Sequence, residues 1–222
     1  MSVLVLGNGL LGSELCKQTK WDCISRRDGF NASQPNFKLI SEYNTIVNCI
    51  ANTNSYSNNL DEHLKINYTF AIALSDYCRL NSKKLVHIST EFVYANNAEK
   101  PLETDIALPD DTFYAKTKLF ADQFISFTNP NALICRELHK PYPFTYPEVW
   151  NVQTSGDTVD KIADLIIKLI NKNAKGIFNV GTGDKFLSEL SPNSKVISPP
   201  SYVPVDTRMN LSKLNSFLNE NY

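Results

Sequence analysis

The chain lacks an excess of charge of either sign, because its 222 residues include 22 lysines and arginines against 23 aspartates and glutamates. Such a chain has no general affinity for polyanions, so we expect neither nucleic acid nor a membrane as a partner. No apolar run reaches the roughly 18 residues that a membrane span requires. The apolar N-terminus contains three glycines and has no preceding basic residues. It is therefore unlike a signal peptide, and we expect a cytoplasmic protein.

Cysteines are few and irregularly spaced: there are five, and none forms a C-x-x-C pair. Most of them lie in apolar or helix-like segments, where a thiol behaves as a small buried hydrophobic group. The pattern predicts structural thiols in a reducing compartment rather than a disulfide framework, and we expect no metal site.

Short apolar runs alternate with helix-like patterns through the first 140 residues. Strands are predicted at 2–6, 21–25, 45–51, 84–90 and 132–138, with a further short strand near Phe30. Helices are predicted at 10–19, 35–43, 58–80 and 111–127. Strands that alternate with helices pair in parallel through right-handed crossovers. The pattern therefore predicts an α/β fold, a Rossmann-type doubly wound parallel sheet.

Proline marks a change of character, since eight of the 11 prolines follow residue 129. Residues 1–140 are predicted to form the sheet domain. Residues 141–222 are predicted to form a small, loop-rich lobe, interleaved with the C-terminal end of the sheet. This segment keeps a helical pattern at 159–171, a strand at 176–180 and a short helix near 211–218.

Glycine is scarce too, yet three of the eight glycines lie close together in G-N-G-L-L-G, between a predicted strand and a predicted helix. In a dinucleotide site the first glycine permits the turn, the second admits a pyrophosphate, and the third lets the helix pack on the strand. The helix N-terminus favours the negative charge. A glycine-rich turn without ligand is the alternative. The motif predicts cofactor contacts at Gly7, Asn8, Gly9, Leu10, Leu11 and Gly12.

The second predicted strand ends at Ser25-Arg26-Arg27. In Rossmann folds an acidic residue here binds the 2′-hydroxyl of NAD, whereas an arginine accommodates the 2′-phosphate of NADP. Asp28 lies one position too late for the first role. These residues favour NADP(H), with NAD(H) left open, and an exposed basic turn is the alternative reading.

Tyr114 and Lys118 are four residues apart on a predicted helix, so they share one face. A buried ammonium would lower the pKa of the neighbouring phenol and help it to exchange protons near neutral pH. Ser89 and Thr90 end the preceding strand, and the Thr90 hydroxyl can donate to the same carbonyl oxygen. Alone, the Tyr-Lys spacing is a common structural pattern; together with the glycine motif it predicts catalysis.

These pieces resemble the extended short-chain dehydrogenase/reductase superfamily and, within it, the dTDP-4-dehydrorhamnose reductase family. The matching segments are VLGNGLLGSEL, IVNCIANTN, VHISTEFVY and PLETDIALPDDTFYAKTKLFAD, in that order. The resemblance implies that Thr90, Tyr114 and Lys118 form the catalytic group, with Tyr114 and Lys118 also touching the cofactor. It further implies that Asn31 and Ala32 lie near adenine and that Ile50, Ala51 and Asn52 lie near nicotinamide.

The resemblance places the substrate beside Ser89, Thr90, Glu91 and His139. Glu91 stands where the family has aspartate, and His139 stands where it has a tryptophan. The chain is also shorter than the family between Leu138 and Thr158, which implies a reduced substrate-binding region.

The implied function is NAD(P)H-dependent reduction of a keto group on a nucleotide-activated deoxysugar, with a homodimer left open as the assembly. Two alternatives remain open. One is a sugar-nucleotide epimerase or dehydratase on the same scaffold with retained NAD. The other is a non-catalytic dinucleotide-binding regulatory subunit.

Overall fold

The computed structural model describes residues 2–98 and 100–220. The predicted domains also include Met1, Glu99, Asn221 and Tyr222, which lie outside the described residues. A six-stranded parallel sheet forms the centre, in the order β10-β5-β4-β3-β1-β2. Its strands are β1 Val3–Leu6, β2 Asp22–Ile24, β3 Thr45–Asn48, β4 Lys84–Ile88, β5 Leu133–Glu137 and β10 Gly176–Val180. The predicted Rossmann-type fold is confirmed.

Helices cover both faces of this sheet. On one face, α1 (Leu10–Thr19) and α5 (Val159–Asn171) pack over one core cluster. On the other, the cluster includes residues of α3 (Ala71–Leu80) and α4 (Phe113–Thr128). Because both faces are covered, a central strand can be a continuous apolar run rather than an alternating one. β1 follows this rule, with all four residues buried.

The strand order reverses at β1, which pairs with β2 on one side and β3 on the other. In open parallel sheets, ligands bind outside the carboxyl ends of the strands at such a reversal. The segments that follow β1, β2 and β3 are therefore the ones that this topology brings to a binding crevice.

The long helix predicted at 58–80 is continuous but not uniform. It begins as α2 (Leu60–His63), continues as a π-helical stretch over Leu64–Phe70, and ends as α3. Such π-helical insertions occur frequently at functional sites.

The chain after β5 contributes β10 and α5 to the sheet layer, and it also forms six short strands and a C-terminal helix. These are β6 His139–Lys140, β7 Glu148–Trp150, β8 Gln153–Thr154, β9 Asp157–Thr158, β11 Lys185–Phe186 and β12 Lys195–Ile197, with α6 at Ser212–Asn219. The short strands pair as β6–β9, β8–β11 and β7–β12. Val149 of β7 belongs to a small apolar cluster that also includes Phe144. A domain boundary at residue 140 remains a prediction.

The predicted strand near Phe30 is wrong. A 3₁₀ turn, Arg26–Asp28, follows β2, and it ends at Gly29 with φ of 88°. Phe30 is 1% exposed and packs edge-on against Phe70, so it fills the core without pairing in the sheet. The helix predicted at 35–43 is a 3₁₀ turn, Phe37–Ile40.

No helix within residues 2–98 and 100–220 is both long enough and apolar enough to cross a membrane.

Candidate active site

A cavity of about 780 Å³ lies beyond the carboxyl ends of β1, β2 and β3. It is the crevice that the strand reversal predicts. Most of the residues predicted to contact a cofactor line it, namely Gly7, Asn8, Gly9, Ser25, Arg26, Asn31, Ala32, Ile50, Ala51 and Asn52.

A second cavity of about 460 Å³ adjoins the first, because Gly9, Cys49, Ala51 and Thr53 line both. The other residues predicted to contact cofactor or substrate, or to act in catalysis, line the second cavity, except for Arg27 and Glu91. Its lining includes Leu10, Leu11, Gly12, Ser89, Thr90, Tyr114, Lys118, Glu137, His139 and Lys140.

The glycine turn has the geometry that its sequence predicts. Gly7 has φ of 98°, in the left-handed region that favours glycine. A Cβ on Gly12 would lie 1.9 Å from the Gly7 carbonyl oxygen, so Gly12 is required for helix α1 to approach β1. A Cβ on Gly9 would meet nothing within 4 Å. A side chain at position 9 would therefore not clash with neighbouring residues of the protein.

This difference predicts opposite outcomes for two substitutions. Gly9→Val should fold normally and lose dinucleotide binding, because its side chain would occupy the cavity where a pyrophosphate meets the backbone. Gly12→Ala should be destabilised by about 1–3 kcal/mol or more, as in other overpacked sites. Thermal melts and fluorescence titration with NADPH measure both. Normal NADPH binding by Gly9→Val would mean that Gly9 serves only the turn.

Only one of the two arginines in the turn after β2 lines the first cavity. Arg26 lines it, whereas Arg27 is exposed and does not, so the structure does not support Arg27 as a cofactor contact. Ser25 caps the 3₁₀ turn by accepting from the Arg27 N–H. The Asp28 carboxylate accepts from the backbone and hydroxyl of Ser25, at 2.9 and 2.8 Å. Asp28 is thereby held by its own turn.

Asn67 holds the loop that follows β3. Its side-chain oxygen accepts from the Asn52 N–H at 2.7 Å, and its amide donates to the Asn52 carbonyl at 3.1 Å. Asn67 lies in the π-helical stretch. The irregular helix thus positions a cavity wall through Asn52.

Tyr114 is half-buried and lines the second cavity. Burial raises the pKa of its phenol to about 12, while a hydrogen bond with Thr90 opposes the increase. The phenol therefore carries its proton at neutral pH, the state that a general acid needs. The sequence predicted that Lys118 would lower this pKa; in the structure it is raised, because desolvation outweighs the favourable contacts.

Lys118 is buried, and its ammonium turns towards the sheet. Nζ donates to the Ile88 carbonyl at 2.5 Å and lies 3.4 Å from His87 Nε2. Burial lowers the pKa of Lys118 to about 8, against the attraction of Asp122 and Glu137. Lys118 is thus an ammonium that can lose its proton within the ordinary pH range.

A buried polar network supports this face of α4. The Asp122 carboxylate accepts from Ser89 Oγ at 2.8 Å and from Arg136 Nε at 3.0 Å, and its other oxygen lies 3.8 Å from His87 Nε2. Ser89 lines the cavity, but its hydroxyl is committed to Asp122. Sequence reasoning missed Asp122, although its position one turn after Lys118 on the same helix face was a usable signal.

Glu91 does not line either cavity, which corrects its predicted place beside the substrate. It is 1% exposed and accepts from Thr154 Oγ1 at 2.9 Å and from Thr207 Oγ1 at 2.6 Å. Because it follows Thr90 directly, Glu91 ties the segment that contains Thr90 to two segments later in the chain. Burial raises its pKa to about 7, and the two threonine hydrogen bonds oppose the increase.

The raised pKa of Glu91 predicts a pH-dependent stability. The folded chain binds this proton more tightly than the unfolded chain, so the free energy of unfolding should fall as pH rises from about 4.5 to about 7. The shift corresponds to roughly 3 kcal/mol. Glu91→Gln should remove this loss and be more stable than the native chain at pH 8. Urea unfolding between pH 5 and pH 8 measures how the free energy of unfolding changes with pH.

Asp61→Asn, which changes an exposed carboxyl, is the control and should show the same pH dependence of unfolding free energy as the native chain. The same pH dependence in Glu91→Gln would refute the assignment to Glu91.

The parallel sheet and the glycine turn at its strand reversal define a Rossmann-type α/β protein. Within that class, the model of the family described as the RmlD substrate binding domain matches residues 1–138. The chain belongs to this family, which confirms the resemblance seen in the sequence.

Two curated relatives are similar over part of the chain. The spore coat polysaccharide biosynthesis protein SpsK of Bacillus subtilis (strain 168) is 30% identical over 155 residues, covering 60% of this chain and 51% of that protein. The Arabidopsis thaliana trifunctional UDP-glucose 4,6-dehydratase/UDP-4-keto-6-deoxy-D-glucose 3,5-epimerase/UDP-4-keto-L-rhamnose-reductase RHM3 is 24% identical over 136 residues, covering 53% of this chain and 20% of that protein. The matches thus span about half of one relative and a fifth of the other.

Solved structures share the fold. A dTDP-4-dehydrorhamnose reductase from Bacillus anthracis, in complex with NADP, matches with a TM-score of 0.78 and 20% identity, covering 96% of this chain and 92% of that one. A UDP-glucuronic acid 4-epimerase from Bacillus cereus, in complex with NAD, matches with a TM-score of 0.75 and 15% identity, covering 100% and 93%.

Proposed function

We propose that the protein reduces a keto group on a nucleotide-activated deoxysugar with NADP(H). The observation that carries this proposal is the placement of Thr90, Tyr114 and Lys118 in a cavity that adjoins the cavity of the glycine turn. A dinucleotide bound in the first cavity would therefore extend towards the second cavity, where Tyr114 can donate a proton.

The first cavity fits a nicotinamide dinucleotide. The space beyond Gly9 is open, and no side chain in the described part of the chain caps the N-terminus of α1, so its backbone N–H groups are available to a diphosphate. Gly7, Gly9 and Arg26 would hold the phosphates, and Asn31 and Ala32 would border the adenine. When bound, the cofactor supplies the hydride. Homologous folds solved with NADP and with NAD support the cofactor class.

The chain's own residues supply the proton and the orientation. The Tyr114 phenol, protonated at neutral pH, gives its proton to the substrate carbonyl oxygen as general acid. The Thr90 hydroxyl, which lines the same cavity as Tyr114, would donate its hydrogen bond to the same oxygen. Lys118 places a positive charge beneath this site, held by the Ile88 carbonyl.

The substrate class is supported by family membership and by the activities of similar proteins, which include a UDP-4-keto-L-rhamnose reductase and a dTDP-4-dehydrorhamnose reductase. A panel of 4-keto-6-deoxy nucleotide sugars, with dTDP and UDP as the nucleotide, tests the proposal through loss of NADPH absorbance. We expect turnover of at least one member. Tight NADPH binding without turnover of any would favour the regulatory-subunit alternative.

Cofactor preference is tested by a matched pair of arginines. Arg26→Ala should weaken NADPH binding by about 10- to 100-fold, the value of a hydrogen bond to a charged group, and leave NADH nearly unchanged. Arg27→Ala is the control: it removes an equal charge one residue away, outside the cavity lining. Titration with each cofactor measures the two affinities. An equal loss of affinity for NADPH and NADH in Arg26→Ala would overturn the NADP(H) preference.

A further inference from the structure

A histidine and a glutamate form a close pair in the wall of the second cavity. His139 Nδ1 lies 3.0 Å from both carboxylate oxygens of Glu137. Glu137 ends β5 and His139 begins β6. The Glu137 side chain is 4% exposed, whereas that of His139 is 26% exposed. The carboxylate is therefore the buried member of the pair and the imidazole is the accessible one.

The pair fixes the ring nitrogen that is available to a ligand. A carboxylate can only accept hydrogen bonds, so Nδ1 must carry a proton. Within residues 2–98 and 100–220, no group bonds to Nε2. Nε2 is thus the atom that His139 presents, and in the neutral ring it is a base. The same logic orients the histidine of Asp-His pairs in hydrolases.

Glu137 is the carboxylate that pairs with His139. Burial lowers the pKa of His139, and the neighbouring Lys140 lowers it further, but the Glu137 carboxylate raises it, and the net shift is upward. Asp157, paired in register with His139 on β9, is bonded to Thr182 and Lys161 instead. Histidine is the side chain most often used to take up and return a proton in catalysis.

We propose that Glu137 and His139 form a second acid–base pair, which removes and returns the proton on a carbon next to the substrate's keto group. The proposal rests on the proposed function, because Thr90 and Tyr114 in the same cavity are what would hold the keto oxygen.

The step balances without an oxidant or reductant. His139 Nε2 takes the proton from the carbon, and the C–H electron pair forms a carbon–carbon double bond. The carbonyl electrons move to the oxygen, where Thr90 and Tyr114 donate hydrogen bonds to the enolate. Return of a proton from Nε2 restores the ketone. Because Nε2–H exchanges with water in between, the carbon gains a solvent hydrogen.

The experiment is hydrogen exchange with solvent. The enzyme with NADP⁺, which provides no hydride, is incubated in D₂O with UDP-4-keto-6-deoxy-D-glucose or its dTDP counterpart. NMR follows deuterium at the carbons beside the keto group, against the enzyme-free rate. We expect enzyme-dependent exchange that falls about 10²- to 10⁴-fold in His139→Gln, the usual contribution of a general base. Glu137→Gln should lower it less, since it only orients the ring.

Glu148→Gln, which breaks an exposed ion pair with Lys195, is the control and should exchange like the native enzyme. Absence of exchange above the enzyme-free rate, in an enzyme that reduces the sugar, would overturn the acid–base pair alone. Undiminished exchange in a folded His139→Gln variant would do the same. Exchange without any NADPH oxidation would instead contradict the proposed reductase and retain the pair.

Discussion

Tyr114→Phe should lower kcat for keto-sugar reduction by about 10²- to 10⁴-fold, the range that general acid catalysis supplies. The substitution removes only the hydroxyl that donates the proton. Its ring contacts with Phe92 and His63 can remain, so the cavity should keep its shape. The affinity for NADPH should change little, because the hydroxyl acts on the substrate oxygen. Steady-state kinetics and NADPH titration separate the two quantities.

The matched control is Tyr43→Phe. The Tyr43 hydroxyl donates to Asp22, away from both cavities, so its loss should leave kcat unchanged. A Tyr114→Phe variant with near-native turnover would mean that another group is the acid, and Thr90 would be the first to examine.

Asp122→Ala should lower the free energy of unfolding by about 3–5 kcal/mol, as expected when one partner of a buried ion pair is removed. Asp122 is 0% exposed and is the acceptor for both Ser89 and Arg136. Without it, the buried Arg136 guanidinium loses its carboxylate partner and retains its contacts with Tyr94. Urea unfolding measures the loss.

Asp164→Ala provides the comparison, because it breaks an exposed ion pair with Lys168 on α5. Exposed pairs contribute about 0–1 kcal/mol, so this variant should stay close to the native stability. Equal losses in the two variants would show that the buried network does not carry the stability assigned to it.

The sequence was most informative where one local rule decides the outcome. Buried runs such as 3–6 predicted parallel strands because both faces of the sheet must be covered. The glycine motif predicted the cofactor crevice because only glycine satisfies the approach at Gly12. The strand predicted near Phe30 was wrong because a buried apolar residue can fill the core without belonging to a strand of the sheet.

Residues brought together by the fold were the ones missed. Glu91 follows Thr90 in sequence, yet its carboxylate is turned away by Thr154 and Thr207, which lie more than sixty residues later. Nothing in the sequence predicted a role for Glu137, whose contact with His139 is visible only in the structure. The pKa of Tyr114 also depended on burial, which spacing alone does not give. The homodimer and the cytoplasmic location remain predictions.

Transfer of a labelled hydride tests the central claim most directly. NADPH that carries deuterium at both C4 positions of the nicotinamide is mixed with the enzyme and a 4-keto-6-deoxy nucleotide sugar in ordinary water, and the product is analysed by mass spectrometry and NMR. We expect one deuterium on the former keto carbon, at a rate that Tyr114→Phe suppresses. Product without deuterium, or no product although the enzyme binds NADPH tightly, would contradict the account.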